Sequence, residues 1–275
     1  MSFSLHLPET VEAAIAAQVE TGGRYLAGGT VLLVNRHRGQ DIGGDLVSLE
    51  RVTSLRRIAL TGNSLEIGSG VTFDAIEHSD LVREHAFALW QAACEVGGPQ
   101  IRHRATLGGN LAAASPSADA APPLLALNAS VRVQGQQGER LMPLDGFFKG
   151  RLQTALAPDE LITAVVIPLD GHPVSRFAKV GKRSALAVSC INMALARLDD
   201  GTIRVAVGAA APEARLCRET SRLLSQSPEA VEDAKALILT EISPIDDRWA
   251  TASYRNLVCR NLLGELLSQI KEVIK

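Results

Sequence analysis

The stretch GGPQIRHRATLGGNLAAASPSADAAPPLLAL, residues 97–127, decides how the chain is read. At its centre Thr106-Leu107-Gly108-Gly109-Asn110 sets two glycines among donor-bearing side chains. Without Cβ atoms the main chain reaches positive φ and its N–H groups can approach an anion, while Thr or Asn adds a side-chain donor. Leu26-Ala27-Gly28-Gly29-Thr30 repeats this grammar near the start, and the run from Val31 to Arg36 that follows is apolar and helix-compatible. A helix beginning there would add its own N–H groups and the positive end of its dipole. Neither turn is a P-loop, which needs Gly-Lys-Ser/Thr, nor a G-x-G-x-x-G fingerprint. Taken singly, each is more readily an ordinary strand-to-helix turn than a phosphate cradle. As a pair they suit a pyrophosphate, whose two charged groups one loop covers poorly, held between two subdomains.

After the second turn the chain is almost all small residues, and Asp119 is the only acid between Leu111 and Leu124. Asp119 or Ser115 reads as a hydrogen-bonding residue at a helix terminus. The other reading of Asp119 is an acceptor for ribose or ribityl hydroxyls, a role that suits a carboxylate.

Upstream, Val11, Ala14, Ile15 and Val19 fall on one helical face that Gly22-Gly23 ends, and Arg24 to Ala27 reads as a strand. Asp45 to Leu49 is a further strand, and Ile58-Ala59-Leu60 with Leu65-Glu66-Ile67 makes a hairpin around Thr61-Gly62-Asn63-Ser64. Thr72 caps a helix from Phe73, and Leu81 to Val96 carries one apolar stripe, a single long helix ended by Gly97-Gly98-Pro99. Downstream, Val131-Arg132-Val133 and Glu160 to Ile167 are strand-like. Pro168-Leu169-Asp170-Gly171-His172-Pro173 is the linker candidate, dividing 1–170 from 171–275. Beyond it Arg176–Gly181, Ala187–Leu198 and Thr202–Ala209 predict about three antiparallel strands. Helices follow, one starting at Ser227-Pro228-Glu229 and one within Trp249 to Ile274.

The 275 residues, 46% of them hydrophobic, suffice for one large core or two ordinary ones. Lys and Arg number 28 against 30 Asp and Glu, so no basic excess exists to neutralise a nucleic-acid backbone or anionic lipid. Apolar runs are broken well before the roughly 20 residues that a membrane helix needs. MSFSLHLPET lacks a basic segment followed by an apolar core, which predicts a cytoplasmic protein. Cys94, Cys190, Cys217 and Cys259 are scattered without a C-x-x-C pair, against disulfides, zinc or an iron–sulfur cluster held by this chain alone.

The runs YLAGGTVLL at 25–33 and the stretch at 97–127, with APDELITAVVIP at 157–168 and FAKVGKR at 177–183, resemble one family over essentially the whole chain. It is that of the FAD-binding (medium) subunits of molybdenum hydroxylases of the xanthine dehydrogenase and carbon monoxide dehydrogenase type. The resemblance implies an α+β fold, with non-covalent FAD between two subdomains of the vanillyl-alcohol oxidase (PCMH) type and a small α+β C-terminal domain. It also implies contacts to FAD from Leu26, Ala27, Gly28, Gly29, Thr30 and Val31, and from Thr106, Gly108, Gly109 and Asn110. Asp119 would bind a cofactor hydroxyl, with Ser115 in the same set; Ile162 would lie against the flavin and Lys179 would approach it. The family commonly has Asp where Val31 stands, so a main-chain contact there survives and a side-chain contact does not. No catalytic acid or base and no metal ligand is assigned to this chain.

In such enzymes the substrate is oxidised at a molybdenum cofactor on a large molybdopterin subunit. Electrons cross [2Fe–2S] clusters on a small subunit to the flavin, which passes them to NAD, oxygen or another acceptor. The implied assembly is a dimer of heterotrimers. Two other readings stand beside it: a self-sufficient FAD-dependent oxidoreductase of the same fold, and a flavin-free interaction subunit. Arg102, His103 and Arg104 could place positive charge near a pyrophosphate, although a run of basic residues on a loop is more often a solvated or subunit-facing patch. Lys179, in a predicted strand, is alternatively an outward, snorkelling lysine.

Overall fold

The computed structural model describes residues 4–40, 44–169, 171, 173–183 and 186–274. The chain begins β1 (Leu5–His6), α1 (Val11–Thr21), β2 (Arg24–Leu26), α2 (Leu32–His37), β3 (Leu46–Ser48). The Thr10 hydroxyl accepts from the Ala13 N–H to start α1, and Gly22 ends it at φ 63°, which glycine adopts without a Cβ clash. Val11, Ala14 and Ile15 point into the core, whereas Val19, expected on the same stripe, is 42% exposed. The three strands form a parallel sheet in the order β1-β3-β2, as helical crossovers require.

A 3-10 turn over Thr53–Arg56 leads to the expected hairpin, β4 (Ile58–Thr61) and β5 (Ser64–Gly68). Thr72 caps α3 (Phe73–Glu77) as expected. The continuous helix expected over 81–96 is two helices, α4 (Asp80–His85) and α5 (Phe87–Glu95), broken at Ala86 with φ −142° and ψ 54°. The break is stabilised from far away: the Ala88 N–H, at the start of α5, donates to Ser175 Oγ at 3.1 Å. Three short helices follow: α6 (Pro99–Arg102), α7 (Leu107–Ala112) and α8 (Ala121–Ala126).

Next come β6 (Ser130–Gly135), β7 (Gly138–Pro143), the small hairpin β8 (Phe148–Gly150) and β9 (Gln153–Thr154), and β10 (Leu161–Pro168). These complete an antiparallel sheet in the order β4-β5-β10-β6-β7. Of the expected linker, Asp170 and His172 lie outside the described residues, as do Met1 to Phe3 of the amino-terminal stretch.

The last sheet has four strands rather than three: β11 (Val174–Gly181), β12 (Ser189–Arg197), β13 (Ile203–Gly208) and β14 (Arg215–Leu216). β14 is two residues long, too short to show a period, and is held by pairing with Ala206 and Val207. The chain ends in α9 (Arg218–Gln226), α10 (Val231–Glu241) and α11 (Ala252–Ile274). Ser227-Pro228-Glu229 does not start a helix. Ser227 closes α9, its N–H on the Leu223 carbonyl, and α10 begins at Val231.

This sheet is covered on both faces. Ala194, Ala196 and Ala206 belong to the same core as Leu89 of α5 and Leu124 of α8, while Ile191, Met193 and Leu195 pack with Ile238 of α10 and Leu263 of α11. Arg255 of α11, buried, donates to the carbonyls of Cys190 and Ala209 and to Asp247, tying helix to strand ends. β12 is therefore buried over nearly its whole length, and a polar side chain on it must find a partner inside the protein.

Candidate functional site

The first glycine turn joins β2 to α2. A Cβ on Gly28 would collide with the Arg104 carbonyl and meet Ala105 Cα at 3.1 Å, and Gly29 sits at φ 73°. Both positions therefore need glycine, one for close approach and one for its left-handed conformation. Gly28 thus abuts the main chain just before Thr106, so the fold brings the two turns together. Among the described residues no protein group accepts from the N–H groups of Gly28, Gly29, Thr30 or Val31. Val31 opens α2 without a side-chain cap, and its side chain is 52% exposed.

The second turn is helical, contrary to the loop expected. Thr106 caps α7, its Oγ1 accepting from Gly109 N–H at 3.2 Å. The N–H groups of Leu107 and Gly108 reach the carbonyls of Val71 and Ser69, at 2.9 and 2.8 Å. Gly108 is fixed by contact, since a Cβ there would lie 2.5 Å from Ser69 Cβ. Because these donors already have partners, the free main-chain donors of the site come from the first turn alone. The second turn offers the exposed Gly109 and the Asn110 amide, whose Oδ1 is buried without a hydrogen-bond partner. The Ser69 N–H in turn donates to the Thr163 carbonyl at 2.9 Å, which links β10 to this turn. Ile162, one residue earlier, is 3% exposed and packs in the main core.

Asp119 lies just before α8 but caps no helix; Ala120 starts α8 with no side-chain bond. Its side chain, 11% exposed, is held from the carboxy-terminal sheet. Oδ1 accepts from Ser189 Oγ at 2.6 Å and Asn192 Nδ2 at 2.7 Å, and Oδ2 accepts from Lys179 Nζ at 3.0 Å. Lys179 also donates to the Glu95 carbonyl at the end of α5, at 2.5 Å. With 8% side-chain exposure it is no snorkelling lysine but half of a buried ion pair. Burial pushes the nearby Glu95 carboxyl above its ordinary value, against the pull of Lys179. Ser115 Oγ accepts from the Ser117 N–H at 3.3 Å, a local turn bond. The fold therefore brings together the glycine turns, and separately Asp119 with Lys179.

Ser189 and Asn192 escaped the sequence reading. Neither belongs to a glycine motif, and in a strand buried on both faces nothing in the sequence pattern distinguishes them from ordinary sheet positions. Conversely, the basic triplet is spent within the chain. Arg102 Nε donates to Glu77 at 2.7 Å, His103 Nε2 lies 3.0 Å from Asp74, and Arg104 is 3.9 Å from Glu50. Asp74, Glu77 and His78 bring ligand atoms within 4.8 Å of one another, but Arg102 and His103 already occupy the two carboxylates. Two cavities, of about 250 and 300 Å³, lie elsewhere, around Asp145 and Arg218 and over the solvent side of β4–β7 at Glu66 and Arg132. No described helix is long and apolar enough to cross a membrane.

Residues 1–170 match the family described as the FAD binding domain in molybdopterin dehydrogenase, and 176–270 match the CO dehydrogenase flavoprotein C-terminal domain. The chain is 30% identical to a xanthine dehydrogenase FAD-binding subunit of Escherichia coli O157:H7, over 97% of its own length and 95% of the relative's. It is 33% identical to the nicotinate dehydrogenase FAD-subunit of Eubacterium barkeri, over 73% and 71% of the two chains. Its fold superposes on a chain of the Cu,Mo-CO dehydrogenase crystal structure with a TM-score of 0.93 at 25% identity, covering 99% and 98%. For a chain of carbon monoxide dehydrogenase from Hydrogenophaga pseudoflava the TM-score is 0.91 at 27% identity, covering 98% and 96%.

Proposed function

Because the chain belongs to the FAD-binding subunits of the molybdopterin dehydrogenases, we propose that it is the flavin-bearing electron-transfer subunit of a multi-subunit molybdenum hydroxylase. The residues present fit the cofactor. The first turn is a cradle that a Cβ would fill, its N–H groups have no acceptor in the protein, and the buried Asn110 Oδ1 awaits a donor. Bound FAD supplies the ability to take up electrons singly or in pairs and release them to an external acceptor.

The N–H groups of Gly28 to Val31 hold the pyrophosphate, with α2 starting behind them; main-chain donors to an anion give charge-assisted bonds without a side chain to crowd it. Gly109 and Asn110 close the other side. Asp119 and Lys179 supply one acceptor and one cation toward the hydroxyl and ring portions. The Asp119 carboxylate uses three of roughly four acceptor sites inside the protein, which leaves capacity for one more hydrogen bond. Ile162 is assigned to the ring's apolar side, and Ser115 to the floor of the loop that carries Asp119. We assign no residue of this chain as a general acid or base.

All four cysteines are free thiols. Burial raises the thiols of Cys217 and Cys259, Cys259 to about 12. The [2Fe–2S] clusters and the molybdenum cofactor then sit on a small and a large partner chain, in a dimer of heterotrimers in the cytoplasm. The chain divides into residues 1–170, which hold FAD, and 171–275, which complete the site. The observation that carries this reading is the main-chain cradle at Gly28 packed against Arg104. The test is reconstitution: purified protein mixed with FAD and desalted should retain yellow flavin that denaturation releases. A chain that stays colourless refutes the reading.

A further inference from the structure

A buried carboxylate must be compensated by donors, and the Asp119 carboxylate draws all of its described donors from the carboxy-terminal sheet. Two of the three lie on one strand at positions that a regular strand could not use. Residues 189 and 192 are three apart, an odd spacing, so their side chains would face opposite sides of β12. The pairing of β11 with β12 slips at this point. Val180 pairs with Ile191 and Gly181 with Ser189, which leaves Cys190 as an extra residue on β12. Such a bulge re-aims the side chains on its two sides, and bulges concentrate beside functional sites. Here it brings Ser189 Oγ and Asn192 Nδ2 to the same oxygen, Oδ1, at 2.6 and 2.7 Å.

The neighbouring strand is shaped to match. Gly208 pairs with Asn192 across the sheet, and a Cβ there would collide with Asn192 Oδ1 and lie 3.0 Å from the Pro116 carbonyl. The next N–H, of Ala209, donates to that same carbonyl at 2.6 Å. Strands β11, β12 and β13 therefore each contribute to holding residues 116–119. Asn192 is fully buried, so its amide cannot swing to solvent.

We propose that Ser189 and Asn192 are positioning residues for FAD. They saturate Asp119 Oδ1, fix the plane of the carboxylate, and through Oδ2 set the place of the Lys179 ammonium. Flavin affinity then depends on a bulge in the carboxy-terminal sheet as well as on the glycine turns. This rests on the reading that Asp119 and Lys179 serve FAD, and the experiment separates the two.

The full chain, freed of flavin, is titrated with FAD and followed by flavin fluorescence, for the wild type, Ser189→Ala, Ser189→Thr, Asn192→Ser, Asp119→Asn and the double variant Ser189→Ala with Asp119→Asn. Ser189→Ala and Asn192→Ser should each weaken FAD binding about tenfold, equivalent to about 1.4 kcal/mol. Ser189→Thr, which keeps the hydroxyl, should bind as the wild type does. Against Asp119→Asn, Ser189→Ala should add less than about a twofold loss, because residues that act through a shared partner are not additive. The inference is overturned if Ser189→Ala binds like the wild type, if Ser189→Thr is as weak as Ser189→Ala, or if Ser189→Ala costs the same factor with and without Asp119. Should Ser189→Ala fail to fold, Asn192→Ser and Ser189→Thr carry the same expectations and the same refutations. A wild-type chain that takes up no FAD overturns the functional reading and this inference with it; normal wild-type binding with unaffected variants overturns this inference alone.

Discussion

Gly28→Ala adds a single methyl group where the chain has no room for one. The new Cβ would collide with the Arg104 carbonyl oxygen, lie 2.6 Å from the carbonyl carbon and 3.1 Å from Ala105 Cα. All of these atoms are main chain, and their segment is pinned. The N–H groups of Arg104 and Ala105 both donate to the Ile101 carbonyl, and the Ala105 carbonyl accepts from Phe73 at 3.0 Å. The first turn must therefore withdraw by about 1 Å to restore van der Waals contact. Overpacking of this kind costs about 1–3 kcal/mol of folding stability. The same shift draws the N–H groups of the cradle away from their anion. Losing one or two hydrogen bonds to a charged group, at about 1.5–3 kcal/mol each, corresponds to a fall in FAD affinity of roughly tenfold or more. Flavin-fluorescence titration of the apo-protein measures the second effect, and denaturant unfolding the first. Gly44→Ala is the control, since a Cβ there would meet nothing within 4 Å. The reasoning fails if Gly28→Ala binds FAD within about threefold of the wild type, or if Gly44→Ala is the more damaging change.

Val31→Asp places an anion at the start of α2. It should add about 0.3–1 kcal/mol of stability from the helix dipole while changing FAD affinity little, because the present side chain is exposed; thermal melting and FAD titration check the two halves. The Glu66–Arg132 bidentate pair, at 2.6 and 2.8 Å, holds the Glu66 carboxyl below its ordinary 4.5. A lowered carboxylate contributes stability above its unfolded-state value and loses it as pH falls through the folded value. Glu66→Gln should therefore destabilise by about 1 kcal/mol at neutral pH and by nothing well below pH 4, as read from denaturant midpoints across that range. Thiol alkylation at pH 8 should spare Cys217 and Cys259, buried with raised thiols, until the chain unfolds, and mass mapping of native labelling decides this.

Local chemistry was legible in the sequence. Gly22 stops α1, Thr72 caps α3, the Thr61–Ser64 turn folds its hairpin, and the glycine pairs mark where main chain meets main chain. What escaped depends on partners far along the chain. The break at Ala86 carries no Pro or Gly; its helix start is satisfied by Ser175. The second glycine pair is helical because the Ser69 and Val71 carbonyls and the Thr106 hydroxyl take up its N–H groups. Asp119 was visible as the lone acid of its stretch, but neither Ser189 nor Asn192 could be paired with it, because a strand bulge leaves no periodic trace.

The distant cap of α5 also sets an order in time. A ribosome adding about 5–20 residues per second needs about 4–17 s to make the 87 residues that separate Ala88 from Ser175. Throughout that interval the nascent amino-terminal segment lacks a bond it will later bury, and Leu89 and Leu124 lack the alanine surface of β12 and β13 that finally covers them. The donors that hold Asp119, on β11 and β12, likewise leave the exit tunnel long after the residue they satisfy.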